Sequence, residues 1–191
     1  MTDFWFYIQL GFNHVLDWNA YDHVLFILVL VAVYTFKTWK KALLLITLFT
    51  IGHSLSLLLA NYNLVAIAGK WIEFLIPVTI IFAAIYNFIV AKKTHTNTRY
   101  LIYLITFFFG IIHGFGFASY YKMIYDETSV TPLLSFALGI EASQIVIVLA
   151  VLAAAFLFQK ILHVKKREWI IGVSAIVIGR TIPMLTDSWP F

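Results

Sequence analysis

The stretch HVLDWNAYDHVLFILVLVAVYTF, residues 14–36, places His14, Asp22 and His23 ahead of an apolar run that ends at Phe36. Acids and imidazoles are costly in lipid, so a chain that sets them at the mouth of an apolar segment is expected to use them. The run is the first of a series. Of the 191 residues, 62% are hydrophobic and only 12% charged, with a mean hydropathy of +0.93. A soluble domain carries about a quarter charged residues. The sequence therefore predicts an all-α polytopic membrane protein, with residues 1–191 forming a single transmembrane domain. Cysteine is absent, which excludes disulfides and thiolate metal sites.

A bilayer-crossing helix needs roughly 20 largely apolar residues. Six spans are predicted near 20–36, 42–61, 71–91, 100–120, 132–159 and 169–186. The alternate connections KTWKK, KKTHTNTR and QKILHVKKRE hold ten of the thirteen lysines and arginines. The positive-inside rule assigns all three to the cytoplasm, so both termini are expected outside. The net charge of +4 is thus sorted by side, which suits a lipid bilayer rather than nucleic acid. The first residues, MTDFWFYIQL, carry Asp3 and no basic residue, and do not read as a cleavable signal peptide. Segment 4–18 is too short to span. It is expected at the outer interface, or as a re-entrant piece that dips into the bilayer and returns.

Counting 1.5 Å per residue from the basic anchors gives each polar residue a depth. His23 and His113 come to about 21 Å, and His53 to about 18 Å. Glu141 and Glu73 come to about 28 Å, and Arg180 to about 20 Å. Three helices thus bring an imidazole to one level, with carboxylates expected above them. Neutral imidazole and carboxylate suit a divalent transition metal such as zinc, nickel, cobalt or copper. His23 can ligate, and Asp22 can ligate or hold a neighbouring imidazole in its tautomer. A single intramembrane histidine also serves as a polar knot between helices, but three at one depth favour a bound metal. Arg180 needs a partner at that depth, for which Asp22 and Glu141 are candidates; otherwise it snorkels to the surface.

His14 precedes His23 by nine residues, which on one continuous helix would set the two on opposite faces. A bend at DWNA, rich in turn-forming residues, would let both serve one site. The alternative is an interfacial histidine exposed to water. His95 and His163 fall among basic residues in the cytoplasmic loops and are left out.

The segments GFNHVLDWNAYDHVLF, FTIGHSLSL, IIHGFGFA and GIEASQ, in that order, resemble the HupE/UreJ family, especially its second branch. The likeness covers nearly the whole chain. It implies a six-helix protein of the bacterial cytoplasmic (inner) membrane and a nickel or cobalt permease linked to hydrogenase and urease maturation. The family's motif residues fall on His14, Asp22, His23, His53, His113 and Glu141. In the better-known permeases five residues separate the first His from the Asp-His pair; here seven do.

Three functions stay open. The first is a metal permease or accessory. The second is a zinc-dependent intramembrane hydrolase, with Asp22 or Glu141 as general base and Arg180 facing an anionic group of a lipid-like substrate. The third is a structural metal or polar knot in an accessory protein. The inner half of the spans offers few polar side chains, an obstacle to a passing cation.

Overall fold

The computed structural model describes residues 2–18, 21–65, 67–92, 99–124 and 130–190. His95, and Asn19 and Ala20 of the expected bend, lie outside them. The described residues form seven α-helices: α1 (Thr2–Val15), α2 (Asp22–Val31), α3 (Trp39–Asn61), α4 (Gly69–Val90), α5 (Arg99–Ile124), α6 (Thr131–Phe156) and α7 (Lys166–Asp187). A 3-10 turn, Phe36–Thr38, leads into α3, and a π-helical turn, Leu157–Ile161, ends α6. Among the described residues, five helices are long and apolar enough to cross a membrane. The sixth expected span is shorter: α2 is apolar but has 10 residues, about 15 Å of rise. It stops because Tyr34 and Thr35 leave the helix for an extended link to the 3-10 turn.

The helices sort into two packed groups. α1, α3, α5 and α6 share a core that includes Val15, Ile46, Leu57, Tyr121, Phe136 and Ile140. α2, α4 and α7 share another around Phe26, Val29, Ile80, Ala84, Trp169 and Val177. α2 is pinned from its own group: Asn87 Nδ2 donates to the Val29 carbonyl at 2.7 Å, and Trp169 Nε1 to the Ala32 carbonyl at 3.1 Å.

Glycine sets the two closest pairings. A Cβ on Gly52 of α3 would collide with the Phe107 carbonyl of α5, and one on Gly110 with the Phe49 carbonyl of α3. The same reciprocal contact joins α1 and α6, Gly11 meeting the Phe136 carbonyl and Gly139 that of Ile8. Without side chains, backbone approaches backbone, the usual means of helix association in lipid.

The N-terminal segment is thus a helix laid along α6. Gly139 lies by Ile8 and Phe12, whereas the His14 ring lies 5.9 Å from that of Phe136. α1 thus packs on α6 with the same reciprocal glycine contact that joins α3 and α5. Its 14 residues rise about 21 Å, so it enters the bundle without spanning a full bilayer.

Candidate metal centre

The break between α1 and α2 resolves the nine-residue problem. α1 ends at Val15 and α2 starts at Asp22, and the His14 and His23 rings lie 4.7 Å apart, centre to centre. The His53 ring is 5.7 Å from that of His14 and 5.8 Å from that of His23. The His113 ring is 5.4 Å from that of His23. Four helices and both packed groups thus contribute one imidazole each. One nitrogen from each of His14, His23 and His53 lies within 4.8 Å of the other two.

Backbone contact holds this register. A Cβ on Gly114, next to His113, would strike the Ser56 hydroxyl and the His53 carbonyl. α3 and α5 therefore touch at the level of their histidines, and neither can slide without moving both rings.

Hydrogen bonds orient the imidazoles. His113 Nδ1 lies 2.8 Å from the Phe109 carbonyl one turn earlier. A carbonyl only accepts, so Nδ1 carries the proton and a neutral His113 has its lone pair on Nε2. That Nε2 stands 3.9 Å from Asp22 Oδ2. Asp22 Oδ1 lies 3.2 Å from His23 Nδ1, which as donor leaves His23 its own Nε2 lone pair. Asp22 is the first residue of α2, where the helix dipole favours a negative charge. It orients His23, the role carboxylates have behind metal-bound histidines, while the Phe109 carbonyl orients His113.

The site is dry. His53, His113, His23 and Asp22 are buried, and His14 is partly so. Phe117 packs 3.9 Å from the His14 ring, Phe49 5.2 Å and Phe26 5.5 Å from that of His113. Nε2 of His14, His23 and His113 and both nitrogens of His53 are buried with no hydrogen-bond partner among the described residues. An unsatisfied buried polar group costs about 1–3 kcal/mol. Five of them approach the 5–15 kcal/mol by which a whole domain is typically stable. A shared ligand that takes one lone pair from each ring removes most of that cost, and a metal cation fits the donor set.

Two expected partners stand elsewhere. Glu141 accepts a hydrogen bond from Thr47 Oγ1 at 2.5 Å. Thr47 precedes His53 by six residues, about 9 Å of helix toward the basic end of α3. Glu141 is therefore on the basic side of the histidines, not above them. The count from Lys160 put it too far out because the helical path continues through the π turn to Ile161. Arg180 does not reach Asp22 or Glu141: its guanidinium lies over the Tyr21 ring at 5.2 Å, and the residue is exposed. His163 is exposed in the link before α7. Sequence reasoning missed Thr47 and Tyr21 as partners, and also Thr50, whose Oγ1 donates to Gln144 Oε1 at 3.0 Å. Uncharged side chains carry no depth signal of their own.

Searches of curated proteins and of solved structures returned no match. The family model described as HupE / UreJ protein matches residues 1–186; the chain, a helical membrane protein with a histidine group able to hold a metal ion, belongs to that family.

Proposed function

We propose that the protein moves a divalent transition metal, nickel or cobalt, across the bacterial cytoplasmic membrane, taking it at His14, His23 and His53 with His113 and Asp22 beside them. The observation that carries this is the set of five partnerless imidazole nitrogens on four neighbouring helices, with one nitrogen each of His14, His23 and His53 within 4.8 Å of the other two. Resemblance to nickel and cobalt permeases supplies the cargo. The neutral imidazoles give lone pairs, Asp22 holds His23 and the Phe109 carbonyl holds His113 in orientation, and the phenylalanine walls exclude water. Glu141 with Thr47 and Gln144 with Thr50 provide polar groups on the basic side of the site. The hydrolase alternative would use Asp22 or Glu141 as general base with Arg180 facing the substrate; Glu141 and Arg180 each have another partner.

The test is flux. Vesicles holding wild-type protein are expected to accumulate nickel or cobalt, and vesicles holding His23→Ala are expected to fall to the protein-free background. Tightly held metal with no flux of either ion would sink the permease and return the hydrolase and the structural site.

The sidedness belongs to the same proposal: basic connections in the cytoplasm and both termini outside, on the strength of charge sorting. In cells carrying Ser188→Cys, an impermeant thiol reagent is expected to label intact cells. Lys165→Cys should label only after permeabilisation. The absence of native cysteine makes each signal unambiguous. Labelling at 165 in intact cells would invert the topology.

A further inference from the structure

A cavity of about 890 Å³ lies between α2, α4, α5 and the first turns of α7, near the top of the ~300–1,000 Å³ range of ligand pockets. Its walls are aromatic and aliphatic, with Val29, Phe82, Ile102 and Ile170 among them, and Tyr34, Tyr86 and Tyr103 bring phenolic groups. One end is basic. Lys41, near the start of α3, and Lys166 and Arg167, which open α7, line it, and no acid appears among its described lining residues.

Phe26 and Phe109 form the opposite end. The Phe26 ring is 5.5 Å from that of His113, and the Phe109 carbonyl holds His113. The cavity therefore stops one aromatic layer short of the metal centre. Phe82 lines it and is 63% exposed, so it reaches the lipid-facing surface of α4.

Three cations with no carboxylate repel a divalent metal, so the mouth is poorly suited as a vestibule for one. A small soluble anion would satisfy the basic end and leave the apolar volume unfilled. A zwitterionic lipid would fill the volume and leave the cations without a net counter-charge. We propose that the cavity holds an anionic phospholipid, its acyl portion against the apolar walls and its phosphate against Lys41, Lys166 and Arg167. Basic residues at the ends of membrane helices attract anionic headgroups in this way, and chain and phosphate match the two ends of one cavity. The site is separate from the metal centre and does not rest on the transport reading.

The experiment is native mass spectrometry of the full chain released from nanodiscs of equal phosphatidylglycerol and phosphatidylcholine. Wild-type protein is expected to retain phosphatidylglycerol at least about tenfold over phosphatidylcholine, within what three basic contacts supply. The triple variant K41Q/K166Q/R167Q should fall below about twofold. Lys92→Gln and Lys165→Gln, whose residues do not line the cavity, should keep the preference. Ala83→Trp, which fills the wall, should reduce retention of both lipids. If the triple variant purifies poorly, the single Arg167→Gln, at an exposed position, is read the same way and should lose at least half of the preference. Equal retention of the two lipids by wild type would overturn the proposal and leave the basic end to an acidic soluble partner. A preference that survives the charge substitutions would overturn it as well.

Discussion

His53→Ala protein, purified and assayed for bound nickel, cobalt and zinc, is expected to come away nearly metal-free where wild type holds about one ion per chain. His53 has both ring nitrogens buried and unpartnered, and it faces His14 and His23 at similar distances. Removing even an outer partner of a metal ligand costs about 10–100-fold in affinity. Losing a ligand from a dry site should cost at least the upper end of that range. His23→Ala should behave alike. Asp22→Asn should weaken binding less, because it perturbs orientation and charge while leaving the imidazoles. His163→Ala, at an exposed position, is the control and should keep its metal. Full occupancy in both His53→Ala and His23→Ala would mean that the cluster is a polar knot and that any metal sits elsewhere.

The second large effect is expected from glycine. Gly52→Ala and Gly114→Ala each add a methyl group where a carbonyl oxygen of the facing helix already stands. A flexible side chain can rotate away; a backbone carbonyl within a helix cannot. Overpacking of an ordinary core costs about 1–3 kcal/mol, and separation of α3 from α5 should exceed it. For a chain of this size each kcal/mol lowers the melting temperature by about 2–4 °C, so a fall of about 10 °C or more is expected. Gly114→Ala should also release metal, since the clash falls on His53 and Ser56. Gly172→Ala and Gly179→Ala meet no atom within 4 Å and should be neutral or stabilising by up to about 1 kcal/mol. Equal melting temperatures for the two sets would show that α3 and α5 do not touch as described.

The long spans were legible because apolar runs of this length have few alternatives, and the basic connections fall where helices end. The level shared by His23, His53 and His113 was legible for a related reason: each lies a similar number of residues from a basic anchor, and for His53 and His113 that anchor is on the same helix. The same count misplaced Glu141, because helix rise measures distance along a helix and not where the bilayer face cuts it. Length alone also hid the role of residues 2–15. A segment too short to cross still packs along α6 when its glycine faces another, and neither Gly11 nor Gly139 announces its partner in sequence. Arg180 was expected to seek a carboxylate, but an aromatic face beside it serves an exposed guanidinium. The cavity was invisible in sequence, since it arises from the gap that α2, α4, α5 and α7 leave between them.

His53 sits eight residues before the end of α3 at Asn61 and fourteen after its start at Trp39, so the metal centre lies roughly a third of the way in along that helix. An ion arriving there from the end away from the basic connections has crossed that share of the membrane's electric field. One elementary charge falling through 100 mV gains about 2.3 kcal/mol, so a divalent ion gains about 1.5 kcal/mol in reaching the histidines. That is roughly a tenfold change in occupancy for each 100 mV. With the basic connections on the negative side, an energised membrane would load the histidines from outside and a depolarised one would let them empty, so voltage would act on the site with no moving part assigned to sense it.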